Sequence, residues 1–243
     1  MKKYDIIKKI EAFAPIYYTQ KWDCVGFMAQ TSKQNIEKIM LALTPTNDVV
    51  RQALEQNCDM LITHHPLFEI DLLGGLVDER FFPKIDIYSA HTNMDLAFGG
   101  TTDTLIEKVL LLGNLELVRK NITEEDFVRY IELKEPLMIC DLTELLRKIS
   151  PNLRYINNNN YKTVKKIGFC AGSGSEFINN VQENGADCFV TGDLKFHTAL
   201  DSKIVVYDIG HFESEILILD KFKDIIGDDV EIVFAKERSP FIY

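Results

Sequence analysis

Five histidines lie in this chain, and each follows a short apolar run: His64, His65, His91, His197 and His211. Imidazole titrates near neutral pH and binds zinc, iron, nickel, copper and manganese, so such residues serve proton transfer or metal ligation. The pair in "LITHHPLF" poses a geometric problem, because neighbouring side chains on a regular strand point to opposite faces. Either one histidine is incidental, or the chain bends at Pro66, or the diverging rings address two targets. His211 and Glu215 in "GHFESE" are four apart and share one face of a helix that opens after Gly210. That pair clasps one metal or spans two; the alternative is a helix start favoured by acidic Glu213 and Glu215. Asp103 in "GGTTDTL" falls in a first helical turn, where it either complements the helix dipole or bridges two cations about 3.5–4 Å apart. His91, before "TNMD", suits acid–base work or a bond to a ligating residue. His197, Asp193 and Lys195 form a further polar group in which the lysine could meet a phosphate. "GSGS" at 172–175 is a backbone phosphate cradle or a plain turn between strand and helix. Trp22 and Asp23 shape a pocket, or Trp22 packs in the core.

The elements that must hold these groups follow from apolar spacing. Ile6, Ile7, Ile10 and Phe13 predict an amphipathic first helix. "IEKIMLALTP", "CDMLITHHP" and "KIDIYSAHTNMD" read as strands. "NDVVRQALEQN" reads as a helix capped by Asn47 or Asp48, and a second helix opens at Thr101 or Thr102 and closes at Gly113. Residues 115–165 add strand-like "LELVR" and "DFVRYIEL", a helix "DLTELLRKIS" ended by Pro151, and an "NNNN" tract at 157–160 read as a turn or solvated loop.

The opening pattern then returns. "EKIMLALTPTNDVVRQALEQNCDMLITHHPLF" parallels "KKIGFCAGSGSEFINNVQENGADCFVTGDLKFH" 128 positions later, so Asp59 matches Asp187, Thr63 matches Thr191, Phe68 matches Phe196, and His64–His65 match Gly192–Asp193. A second match pairs Tyr88 with Tyr207, His91 with His211 and Asp95 with Glu215. The expected fold is therefore α/β: two similar half-domains with mixed, mainly parallel sheets and a polar cluster at strand ends. Ligands of open α/β sheets bind at the carboxyl ends of strands, so a site between the halves is the natural expectation. The expected division is 1–113, an intervening segment 114–165, and 166–243.

A formal charge of −10 argues against nucleic-acid binding, which needs a basic footprint. Five scattered cysteines with no CxxC argue against a disulfide framework or a cysteine-built zinc site. Neither a signal peptide nor a membrane-spanning apolar run is evident, and the expectation is a cytoplasmic protein.

The stretches "WDCVGF", "ITHHPLF", "HTNMDLAFGGTTDTL", "VRYIEL", "TGDLKFHTALD" and "GHFESE" together resemble the GTP cyclohydrolase I type 2 family, the interacting-factor-3-like di-metal proteins. The resemblance runs almost the whole chain. It implies ligands to two divalent ions (zinc, iron or manganese) at His64, His65, Asp103, His211 and Glu215, and His91 is read beside them as the residue that transfers protons. It further implies a homohexamer and hydrolysis of GTP to formate and dihydroneopterin triphosphate by metal-activated water. A nucleotide phosphoesterase and a non-enzymatic metal-handling or interaction protein are the other functions such a site serves. The chain departs from the family pattern at Cys24, Thr102 and Phe196, none of them an implied ligand.

Overall fold

A computed structural model describes residues 1–67, 84–121 and 126–242. Phe68, matched above to Phe196, lies outside the described residues. In chain order the first elements are α1 (Lys3–Phe13), β1 (Gly26–Ala29), β2 (Lys38–Ala42), α2 (Asn47–Glu55), β3 (Met60–Thr63), β4 (Asp86–Ser89) and α3 (Thr92–Leu96). Next come α4 (Thr101–Gly113), β5 (Leu117–Asn121), β6 (Arg129–Met138), α5 (Ile139–Arg147), β7 (Arg154–Ile156) and β8 (Thr163–Ser173). The last are α6 (Ile178–Glu183), β9 (Cys188–Gly192), α7 (Phe196–Asp201), β10 (Val205–Asp208), α8 (His211–Glu215), α9 (Ile218–Ile226) and β11 (Glu231–Phe234). Among the described residues no helix is long and apolar enough to cross a membrane.

The chain forms two compact units. The first comprises Met1–Gly100 and Ile218–Arg238, the second Thr101–Leu217 and Ser239–Tyr243. The first unit carries a sheet in the order β1-β4-β3-β2-β11. Its strands β11, β2, β3 and β4 run parallel, and β1 is an antiparallel edge beside β4. Ile6, Ile7 and Ile10 bury one face of α1, as their spacing requires. The cap of α2 is Thr46, whose side chain accepts from Val49 N at 3.2 Å, rather than Asn47 or Asp48. Those two already lie inside the helix, and a cap must precede it to reach the third amide.

The second unit carries the order β5-β6-β8-β9-β10-β7. Here β8, β9 and β10 are parallel, while β6, β5 and β7 pair antiparallel with their neighbours. The inner strands β9 and β10 are buried along their whole length because both faces are covered. Ile167, Phe169, Cys188, Val190, Val205 and Tyr207 pack with α4 and α5, while Cys170, Phe189 and Val206 pack with α6. The asparagine tract is an exposed turn whose side chains are nonetheless bonded. Asn158 Nδ2 donates to the carbonyls of Ala199, Leu200 and Ser202, and Asn159 Nδ2 donates to that of Lys203. These amides satisfy carbonyls that the end of α7 leaves without helical partners.

The repeat extends to individual bonds at one matched pair. Asp59 accepts from the amides of Glu37 and Lys38, and Asp187 accepts from those of Lys165 and Lys166. Asn57 and Gly185 both take left-handed backbone, at φ 55° and 70°, just before those aspartates. The likeness reaches a strand pair whose sequences show no obvious match. Phe27 of β1 faces Tyr88 of β4, and Tyr155 of β7 faces Tyr207 of β10, with ring centroids 5.3 and 5.0 Å apart.

Candidate functional site

In the first unit β3 stops at Thr63, so His64 and His65 both lie beyond its end and strand alternation does not govern them. Their rings therefore do not diverge as expected. The centroids are 5.2 Å apart, and that of His91 lies 5.1 Å from His64 and 5.6 Å from His65. One ligand atom from each of the three lies within 4.8 Å of the others. The backbone leaving β3 is tied down by the Thr63 hydroxyl donating to His65 O (2.7 Å) and the Ser89 hydroxyl donating to His64 O (2.8 Å).

Each ring is held at Nδ1. His64 Nδ1 donates to Ala90 O at 3.0 Å, His91 Nδ1 donates to Asp23 Oδ1 at 2.9 Å, and His65 Nδ1 is 2.7 Å from Thr44 Oγ1. A carbonyl and a carboxylate can only accept, so in neutral His64 and His91 the lone pair sits on Nε2. Such orienting bonds are the usual companions of metal-ligating histidines. Asp95 Oδ1 lies 3.4 Å from His64 Nε2, adding a carboxylate oxygen to the cluster.

Asp23 is more than a pocket wall. Its buried carboxylate also accepts from Cys24 N (2.7 Å), Thr92 N (3.1 Å) and Thr92 Oγ1 (2.5 Å). Burial alone would raise its pKa, but the bonds and charge of His91, with the bonds from Thr92, outweigh it and hold the group at about 2. Asp23 therefore stays anionic and fixes the tautomer of His91.

In the second unit α8 is a single turn that carries His211 and Glu215 on one face. His211 Nδ1 donates to Asp193 Oδ2 at 2.7 Å, and His211 Nε2 lies 3.0 Å from Glu215 Oε2. Burial would lower the His211 pKa, but the two carboxylates, Asp193 first, raise it to about 10. His211 reciprocally holds Asp193 below the ordinary carboxylate range. Both carboxylates thus favour the protonated ring. Asp193, at the repeat position of His65, adopts φ 53° and supplies the orienting bond.

Gly172, the first glycine of "GSGS", explains that motif better than a phosphate cradle does. Its φ is +68°, and a Cβ there would overlap the Glu215 carboxylate. Its amide donates to Ser214 Oγ (2.9 Å), and that hydroxyl donates to His211 O (2.8 Å), so the motif seats α8.

Asp103 lies in the first turn of α4 and is buried. Lys120 Nζ is 3.0 Å from its Oδ1, and Nε of the fully buried Arg129 is 3.7 Å from its Oδ2. Thr102 beside it accepts from Ala171 N (3.1 Å) and donates to Phe127 O (3.3 Å), a fixed structural duty at a position where the family pattern differs. Of the second polar group only Asp193 reaches His211. His197 is exposed with its ring edge-on to Phe196, and the Lys195 side chain is exposed. Sequence reading did not single out Thr44, Arg129 or the Asp23–His91 bond, because partners distant in sequence leave no local pattern.

The donor chemistry fits divalent metal ions. In the first unit the three imidazoles fixed through Nδ1, with the nearby Asp95 carboxylate, are nitrogen and oxygen donors of the kind that zinc, iron and manganese all accept.

The Duf34/NIF3 (NGG1p interacting factor 3) family model matches residues 1–240. A Clostridium perfringens protein called GTP cyclohydrolase 1 type 2 homolog is 34% identical over 260 residues, covering 99% of each chain. The Drosophila melanogaster NIF3-like protein 1 is 28% identical, over 98% of this chain and 87% of its own. Among solved structures, reduced HcgD from Methanocaldococcus jannaschii superposes with a TM-score of 0.80 at 27% identity, covering 98% of each chain. A Bacillus cereus protein related to NIF3 shares the fold at 18% identity and a TM-score of 0.80, over 100% of this chain and 99% of its own.

Proposed function

The chain belongs to the Duf34/NIF3 family, and on that premise we propose that it is a dinuclear-metal-dependent hydrolase of GTP cyclohydrolase I type, releasing formate and dihydroneopterin triphosphate from GTP. The observation that carries the reading is the histidine cluster of the first unit. Three imidazoles converge there, each gripped at Nδ1 by a protein partner. Histidines kept only for packing do not need such convergence. The ligands would be His64, His65, Asp103, His211 and Glu215, the set that the family resemblance implies. Bound divalent ions supply Lewis acidity, polarising the group under attack and bringing the pKa of water down toward about 7.

The chain's own residues do the rest. His91 accepts a proton at Nε2 while its Nδ1–H stays on Asp23, and the Asp23 anion stabilises the resulting imidazolium. Asp193 aligns His211, Gly172 gives Glu215 its room, and Thr44 aligns His65. GTP is drawn from the names of the relatives and from the family resemblance, and a homohexamer from that resemblance alone; sedimentation velocity tests the latter.

The deciding assay incubates the purified, metal-loaded chain with GTP. Formate together with a fluorescent pterin supports the reading. Free phosphate without formate would make it a phosphoesterase, and no turnover with readily exchangeable metal would make it a metal-handling protein.

A further inference from the structure

The chain has one tryptophan, and it is not in a core. Trp22 is 64% exposed, although indole is among the most costly surfaces to leave in water. Its ring stands edge-on to His91, with centroids 6.2 Å apart and planes at 80°. The loop beneath it is fixed from both sides. Gln20 N donates to Thr92 Oγ1 at 3.0 Å, and the Asp23 carboxylate accepts from Thr92 N and Thr92 Oγ1, so the chain is bonded to Thr92 two residues before Trp22 and one after it. Asp23 N further donates to Gln20 O at 3.0 Å, closing the turn that presents Trp22. A large planar ring is thus held open to solvent, on an ordered loop, beside the residue assigned to proton transfer.

We propose that Trp22 is the stacking platform for the heterocyclic base of the substrate, and that it positions the ring to be opened near His91. An exposed aromatic face on a preorganised loop is what π-stacking recognition requires, and every purine offers a complementary face. The inference deepens the cyclohydrolase reading and rests on it for the choice of guanine. Recognition by Trp22 concerns the ring and not the phosphates, so it distinguishes nucleosides from inorganic polyphosphate.

Because Trp22 is the only tryptophan, intrinsic fluorescence excited at the red edge of its absorption reports this residue alone. The test titrates the metal-loaded, full-length chain with guanosine, GTP and inorganic tripolyphosphate. Guanosine and GTP should quench saturably, and tripolyphosphate should not. Equilibrium dialysis of GTP should then show roughly 10-fold or greater loss of affinity in Trp22→Ala, with Trp22→Phe recovering part of it. The same loss should appear in KM more than in kcat, and the thermal melt should hardly move because the side chain is exposed. Quenching by tripolyphosphate equal to that by guanosine, no quenching by any of the three, or unchanged GTP affinity in Trp22→Ala would each overturn the proposal. The two readings fail separately. Guanosine quenching without formate release sinks the cyclohydrolase assignment alone, and formate release with an unaltered KM in Trp22→Ala sinks the stacking platform alone.

Discussion

His91 donates from Nδ1 to Asp23 at 2.9 Å, and Asp23 is buried with four hydrogen bonds converging on its carboxylate. Two consequences separate cleanly. Replacing Asp23 with Asn keeps the shape but lets the amide donate to Nδ1, which moves the His91 proton to Nε2. Turnover should fall by ~100-fold or more, with metal content unchanged. The second consequence is for stability. The folded pKa lies below the unfolded one, so the contribution is present above about pH 4 and is lost as pH falls toward 2. At pH 7 the ionised carboxylate contributes about 2 kcal/mol. Urea melts of Asp23→Asn against the unaltered chain should differ by that amount at neutral pH and converge near pH 2. A constant difference across that range would refute the linkage.

Gly172 should not tolerate a side chain. At φ +68° an alanine is strained, and its Cβ would displace the Glu215 carboxylate from His211. Gly172→Ala is expected to lower the melting temperature modestly and to reduce bound metal by about half or more, since one ligand is misplaced. Inductively coupled plasma analysis of the purified variant measures this. Full metal content would show that Glu215 is not a ligand.

Much of this was legible in sequence because the physics behind it is local or periodic. The parallel strands β2, β3 and β4 declared themselves as short apolar stretches, and the two halves as a repeat that set Asp59 against Asp187, whereas β11 was not read as a strand. The candidate ligands His64, His65, Asp103, His211 and Glu215 were singled out as a set by the family resemblance, because each taken alone also has an ordinary structural reading. Three features were hidden for physical reasons. The end of β3 at Thr63 depends on partners in neighbouring strands, so alternation suggested diverging rings where the chain makes converging ones. Asp193 supports His211 only because its backbone is left-handed. Arg129 looked like any charged residue of an amphipathic strand, yet it is fully buried beside Asp103.

Metal uptake should release protons. In the metal-free chain His211 is held protonated up to about pH 10 by Asp193 and Glu215, and a cation on Nε2 must displace that proton. Apparent affinity should therefore rise by about tenfold per pH unit between 7 and 9. The heat of binding should also vary with the ionisation enthalpy of the buffer. For the metal-free fold the raised pKa gives the opposite trend, with stabilisation complete below about pH 6.5 and lost as pH climbs toward 10. Calorimetry in two buffers at each pH suffices, and affinity independent of pH would remove His211 from the ligand set.

Arg129 and Asp103 should be coupled. A fully buried guanidinium beside a buried carboxylate is weak evidence for net stability, but removing one member deprives the other of an opposite charge in a buried place. Arg129→Met should cost up to ~3–5 kcal/mol, less by whatever Lys120, 3.0 Å from Asp103, offsets. Adding Asp103→Asn to that variant should recover part of the loss, with an interaction energy of ~1–3 kcal/mol. Metal stoichiometry separates structure from ligation in the same proteins. Arg129→Lys keeps a cation near the carboxylate and should keep the metal, whereas Asp103→Asn should lose it even where the fold survives. Additive losses in the double variant would show that the 3.7 Å approach carries no energetic weight.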